Sequence, residues 1–318
     1  MLISFVISPQ SRLDRLESTI NSILNQTNNA FEIILIIDSK TTTDQIKQYL
    51  DNLFDNNKNI IISENNRSQE TSQEWNLAID IANNKYLVFV KEGDLLKPDF
   101  VEQINRIVQQ KNPDLIQFDS KYTGLLTNVS KNVCLDKNQL YNLEKSYDPF
   151  AYVRRLIYSK AFNLEVIKKN NIYFRRKVRF DILFTFEFLS YAKTFYATDQ
   201  VLSDHLVSVM KYSALDIINQ WPHIMNYFRK IGRYKQLSDQ LNYAYYYELC
   251  YNFLDLVKLF NNPTLYKKAL NQSQEKVTNK LDKFIKQNKT FLENKDPDFT
   301  QRMNEFNNYI NSELKKIK

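Results

Sequence analysis

The sequence predicts a three-layer α/β fold built on a parallel sheet, followed by an all-helical extension. Two observations predict it. Short apolar runs alternate with amphipathic segments through the first hundred or so residues, and the chain beyond about residue 211 reads as helix throughout. Alternating strand and helix is the pattern of a parallel sheet covered on both faces, whose ligands gather outside the carboxyl ends of the strands.

Residues 2–7 read as a buried strand, after which Leu13, Leu16, Ile20, Ile23 and Leu24 recur at helical spacing. A second apolar run, 31–37, ends at Asp38 and precedes a helix over 41–53. A third run, 59–62, leads to a helix over 69–82, and 86–90 is a fourth strand that ends in the polar turn Lys91-Glu92-Gly93-Asp94. A helix over 98–109 and a strand over 114–118 continue the series. From 120 to 210 the pattern is less regular, with helices expected near 137–143, 149–156 and 159–169, then over 181–192 behind the basic segment 175–179. In the last third, Pro222 and Pro263 punctuate the helices and Pro297 opens the final one, where Phe299, Met303, Phe306, Ile310 and Leu314 form one apolar stripe.

Composition narrows the function classes. Hydrophobic residues make up 43% of the 318 and charged ones 25%, enough to bury a core, and the length favours a main domain with an appendage. Three glycines are too few for a Walker or dinucleotide phosphate loop, which needs several for close backbone approach. Cys134 and Cys250 lack a metal-ligand spacing and read as buried thiols, and His205 and His223 lack the partners of a metal site. No Ser-His-Asp or Cys-His arrangement supports a hydrolase. With no leader at residues 1–9 and no apolar run of membrane-spanning length, a cytoplasmic protein is expected.

The net charge of +7 lies in the last third: residues 1–210 hold 25 Lys+Arg against 25 Asp+Glu, and 211–318 hold 18 against 11. Packing against the main domain is the first reading of this basic, aromatic-rich region, and docking on an anionic membrane surface the second. Nucleic acid is not expected, because no recognised motif accompanies the charge.

Several segments resemble glycosyltransferase family two. Ser22-Ile23-Leu24-Asn25-Gln26-Thr27 resembles the end of that family's first helix, and Phe31-Glu32-Ile33-Ile34-Leu35 its second strand. Asn76-Leu77-Ala78-Ile79, Ala82 and Tyr86-Leu87-Val88-Phe89 resemble the approach to its metal-binding turn, and Leu95 to Phe100 the segment just past that turn. Val166 to Phe174 and Asp181-Ile182-Leu183-Phe184 resemble the acceptor half. The resemblance covers roughly residues 1–210. It implies the GT-A fold, a Rossmann-like three-layer sheet, with a nucleotide-sugar half over 1–100, an acceptor half over 101–210 and the helical region over 211–318.

It also implies an inverting transfer of sugar from a nucleotide diphosphate donor, UDP-linked by expectation, to a hydroxyl acceptor on a lipid or surface glycan, at the inner face of the membrane. Ser8, Pro9, Asp38 and Asn76 would contact the nucleotide, Asp181 would be the catalytic base, and Glu92 and Asp94 would hold a divalent Mn or Mg ion. This chain departs from the family at each chemical motif. Ser8-Pro9-Gln10-Ser11 stands for Pro-Val-Tyr-Asn, Ile37-Asp38-Ser39-Lys40 for Asp-Asp-Gly-Ser, Lys91-Glu92-Gly93-Asp94 for Asp-x-Asp-Asp, and Phe180-Asp181 for Glu-Asp. A second way to neutralise the diphosphate is therefore open, through Lys91, Arg176 and Arg179. A rival reading is a catalytically inactive GT-A-fold binding or scaffolding protein. For single residues the alternatives are a capping role for Asp38, helix-dipole complementation for Asp181 and a solvated loop for the basic segment.

Overall fold

The computed structural model describes residues 1–10, 12–38, 42–65, 71–127, 134–176, 182–208 and 214–317. The described residues divide into two compact units. The first comprises Met1–Lys131, Asp136–Lys145 and Arg154–Ser208, and the second Asn132–Leu135, Ser146–Val153 and Val209–Lys318. The main division falls after Ser208, and two short earlier pieces join the second unit. Aromatic packing explains one of them: Phe150 meets Phe228 edge-on at 6.0 Å, and Tyr152 meets Tyr243 at 5.1 Å.

The first unit begins with four parallel strands, β1 (Ile3–Ile7), β2 (Phe31–Asp38), β3 (Ile60–Asn65) and β4 (Tyr86–Val90). Helices α1 (Leu13–Leu24), α2 (Asp44–Asn56) and α3 (Thr71–Ile81) connect them. Every residue of β1, β2 and β4 is buried, which is why they read as unbroken apolar runs rather than alternating ones. Helix α1 buries Leu16, Ile20 and Ile23 and half-buries Leu13 and Leu24, the residues that recur at helical spacing. Thr43 starts α2, its side chain accepting the Ile46 N–H at 3.4 Å.

Next come β5 (Leu95–Leu96), α4 (Phe100–Lys111), β6 (Leu115–Gly124), β7 (Gln139–Asn142), α5 (Asp148–Tyr152), β8 (Lys160–Asn163), α6 (Leu164–Lys169), α7 (Leu183–Tyr191) and β9 (Thr194–Val207). The sheet runs β3-β2-β1-β4-β8-β6-β9-β5, with β7 added along β9. Strand β8 is antiparallel to both β4 and β6, while β6 and β9 are parallel. Because β2 lies on one side of β1 and β4 on the other, the chain leaves β1 in one direction and returns in the other. The carboxyl ends of β1, β2 and β4 therefore flank a crevice, the usual ligand position in such sheets.

Two expected helices are strands. The segment expected as helix over 137–143 is β7, and the one expected over 159–169 opens as β8 before turning into α6. Asn138 (φ 60°) and Ser159 (φ 60°) sit in the left-handed region directly before each strand, which ends any helix there. Short apolar runs suit either element, and pairing with β9 and with β4 and β6 decides them as strands.

The second unit holds α5 together with α8 (Ala214–Asn219), α9 (Trp221–Lys230), α10 (Tyr234–Tyr247), a π-helical turn (Glu248–Asn252), α11 (Phe253–Lys258), α12 (Pro263–Val277), α13 (Leu281–Gln287), α14 (Lys289–Leu292), α15 (Pro297–Asn304) and α16 (Phe306–Lys316). The final helix expected from Pro297 is thus two helices, divided at Glu305. Phe299, Met303, Phe306 and Ile310 are buried, and Phe299 packs against Tyr243, Tyr247 and Phe291 at 5.2, 4.8 and 5.9 Å. The stripe is core, and no helix of the described residues is long and apolar enough to cross a membrane.

Candidate functional site

Three buried polar side chains gather where β1, β2 and α3 meet. Ser8 follows the last residue of β1, Asp38 ends β2, and Glu74 lies in the first turn of α3. They are 9%, 5% and 7% exposed. Burial pushes the Glu74 carboxyl up to about 7; the Ser8 hydroxyl offsets part of this and the Asp38 carboxylate adds to it. Ser8 Oγ, Thr42 Oγ1 and Ser72 Oγ are buried with no well-formed hydrogen bond among the described residues. Pro9 is buried beside Ser8. Native proteins leave few buried polar atoms unpaired, so three around two adjacent strand ends mark a place where a polar ligand could complete the bonding.

Asn76, expected to contact the nucleotide, is engaged with the backbone of Phe174. Its Nδ2 donates to the Phe174 carbonyl at 2.9 Å and its Oδ1 accepts the Phe174 N–H at 2.8 Å. The side chain therefore pins the segment before Arg175 to α3, as a framework residue. Trp75 and Phe89 close on the same Phe174 ring at 4.8 and 5.4 Å, and Phe174 stacks on Phe184 of α7 at 4.0 Å. This packing sets the start of α7. Asp181, the expected base, and Arg179 lie just before it, outside the described residues; Arg176 is described and exposed.

The turn after β4 is cross-linked by its own side chains. Glu92 Oε2 accepts the Gln10 N–H at 2.6 Å and Oε1 the Arg12 N–H at 3.2 Å, which fixes the loop between β1 and α1. Asp94 Oδ1 accepts the Leu206 N–H at 2.9 Å, while Oδ2 bonds His205 Nδ1 at 2.8 Å and the Lys91 N–H at 3.4 Å. Lys91 Nζ donates to the carbonyls of Leu206 (2.9 Å) and Ser208 (3.3 Å) and to Ser208 Oγ (2.7 Å). Burial draws this ammonium below its ordinary value; Asp94 and then Glu92 oppose the shift and Arg15 adds to it.

These bonds bear on the expected metal site. A divalent Mn or Mg ion needs several free oxygen ligands, yet all four carboxylate oxygens of Glu92 and Asp94 already bond to backbone N–H groups or His205. Among the described residues no group of three or more His, Cys, Asp or Glu is placed to hold a metal ion. The residues present do not fit the ion. His205 is a satisfied core histidine, 7% exposed and lying against Tyr158 at 5.2 Å.

Sequence reasoning missed Glu74 and Arg15. Arg15 is half-buried in the first turn of α1, and its Cδ lies 3.5 Å from where a β-carbon on Gly93 would stand. Acidic and basic residues in a first helical turn look like ordinary surface, and only the fold shows what they face.

The glycosyl transferase family 2 profile matches residues 4–157. This stretch is a family 2 glycosyltransferase domain. The poly(ribitol-phosphate) beta-N-acetylglucosaminyltransferase TarP of Staphylococcus aureus is 27% identical over 203 residues, 61% of this chain and 59% of that protein. The chain spans less than two thirds of the curated relatives it matches first, the second being an uncharacterized glycosyltransferase of Haemophilus influenzae of which 55% is covered. Among solved structures, S. aureus TarS 1–349 in complex with UDP-GlcNAc has a TM-score of 0.68 at 18% identity, covering 97% of this chain and 92% of that one. The mannosyltransferase PcManGT from Pyrobaculum calidifontis, in complex with GDP-Man and Mn2+, has a TM-score of 0.54 at 12% identity, with 86% and 75% covered. At these identities the likeness establishes the fold, and the family 2 domain has the GT-A architecture.

Proposed function

We propose that the chain is a glycosyltransferase that moves a sugar from a UDP-linked donor to a hydroxyl acceptor with inversion. The observation that carries this is the buried group of Ser8, Asp38 and Glu74 at the carboxyl ends of β1 and β2, in a domain that shares its fold with TarS. A nucleoside brings both donors and acceptors, through its ribose hydroxyls and the edge of its base. The Ser8, Thr42 and Ser72 hydroxyls, buried with no well-formed hydrogen bond among the described residues, are suited to bond with it.

In an inverting transfer the acceptor oxygen attacks the anomeric carbon, the bond from that carbon to the diphosphate breaks, and UDP leaves with the electron pair. A base takes the acceptor proton, and positive charge near the diphosphate stabilises the leaving group. Asp181 is the proposed base, on the family resemblance alone. A lipid-linked or surface glycan is the proposed acceptor class, from a cytoplasmic position at the membrane. Since the apolar stripe is engaged in the core, the attraction to anionic lipid would come from the excess cations of residues 211–318.

The test is UDP release from UDP-GlcNAc, measured with and without glycan or lipid acceptors. Asp181→Asn is expected to abolish release while leaving UDP affinity within about twofold, as for a base that acts in the transition state. Equal loss of binding and turnover would remove Asp181 from that role. Binding without release under any acceptor would favour the inactive scaffold, a reading that the replacements at Lys91 and Gly93 support.

A further inference from the structure

We infer that Arg15 and Lys91 form a metal-free site for the donor diphosphate, the two side-chain cations standing in for a divalent ion. The inference rests on the reading of the chain as a nucleotide-sugar transferase. Its first support is that the turn already has the cross-links a bridging ion would provide. Lys91 Nζ ties the end of β4 to Leu206 and Ser208 at the end of β9, and Glu92 ties it to the loop before α1. Gly93, in place of the second aspartate of the family motif, has no side chain to offer. It sits at φ +98°, a conformation that side-chain-bearing residues rarely adopt, so the backbone itself disfavours an aspartate.

The second support is charge. Glu92 and Asp94 contribute two negative charges to the turn, and Lys91 and Arg15 two positive ones. In the family motif a divalent ion balances two aspartates; here the same balance holds without the ion. The contacts of Lys91 Nζ are two carbonyls and a hydroxyl, so no carboxylate bonds directly to the ammonium and its field remains at the turn.

The third support is a cation with nothing to bind. The Arg15 guanidinium has no hydrogen-bond or ion-pair partner among the described residues, although it is half-buried beside Gly93. A guanidinium presents donors in a planar fork that matches two phosphate oxygens, and one with no protein partner beside this turn is available to an arriving anion. The donor's diphosphate is the anion that the proposed reaction brings to this end of the sheet. Arg15 would grip it, and Lys91 would add the second charge without moving from its tether.

The test is calorimetric titration of the full chain with UDP-GlcNAc, first in EDTA and then with added manganese. The expected result is equal affinity in both, within about twofold. Binding that appears only with manganese would overturn the inference and leave the proposed function standing; no binding in either condition would overturn both. Titrating Arg15→Met and Lys91→Met with UDP and with uridine then separates charge from structure. Each variant is expected to lose about tenfold or more for UDP and nothing for uridine. Equal losses for the two ligands would reduce both residues to structural supports and contradict the site.

Discussion

Glu74 shows how a single side chain couples the fold to ligand binding. Its carboxyl is held at about 7 against an ordinary 4.5 because burial disfavours the charge and Asp38 repels it. Below pH 4.5 the group is protonated in folded and unfolded chains alike and has no effect on stability. Between pH 4.5 and about 7 the unfolded chain has ionised while the folded one resists, so the cost grows over that interval and is complete above it. At about 1.4 kcal/mol per pH unit the full penalty is on the order of 3 kcal/mol. Glu74→Gln should therefore stabilise the protein by roughly 1–3 kcal/mol at about pH 8 and leave it unchanged at about pH 4, as read by urea unfolding. A gain of the same size at both pH values would show that desolvation of the charge is not the cause. Ser8 and Asp38 were legible in the sequence because each is the first polar residue after an apolar run. Glu74 was not, since an acid in a first turn usually complements the helix dipole. The same limit applies to Glu92 and Asp94: resemblance located them correctly in the turn, but their partners Gln10, Arg12, His205 and Leu206 come from segments distant in the sequence.

At the scale of elements, the last helix gives the clearest case of a buried charge that is fully answered. Glu313 of α16 is 4% exposed and accepts from Lys258 Nζ at 2.8 Å, Tyr266 OH at 2.8 Å and Lys316 Nζ at 2.5 Å. Burial pushes its carboxyl up, but the three donors outweigh burial and hold it at about 2. A carboxyl held low contributes stability above its unfolded value and loses it as pH falls, here between about 4.5 and 2. Glu313→Ala should destabilise the second unit by about 2 kcal/mol at neutral pH, measured by thermal unfolding, because it removes the acceptor of Lys258, Lys316 and Tyr266 and leaves Tyr266 only its longer contact with Tyr309 OH at 3.3 Å. An unchanged melting temperature would mean that solvent replaces all three bonds. Elements with long periodic runs, such as α1 and α4, were legible within a few residues. Strands β7 and β8 were not, because each is four residues long and is defined by its neighbours in the sheet rather than by its own sequence.

For the whole molecule, the order of strands and helices comes from patterning, and the position of the crevice from strand order. Buried, near-continuous apolar runs can pair only in a sheet covered on both faces, and the two-way connection around β1 then opens a cleft at the carboxyl ends. What patterning could not supply is that Ser146–Val153 belongs with the C-terminal helices, since that depends on aromatic contacts between residues far apart in the chain. The proposed function requires a nucleotide sugar to occupy the cleft beside Ser8 and Asp38. The most direct measurement is a calorimetric comparison of UDP-GlcNAc binding by the unaltered chain and by Asp38→Ala. The expected dissociation constant is on the order of 1 μM to 1 mM for the unaltered chain, weakened about tenfold or more in the variant. Undiminished affinity in Asp38→Ala would contradict the position of the site, and no binding by the unaltered chain would contradict the function.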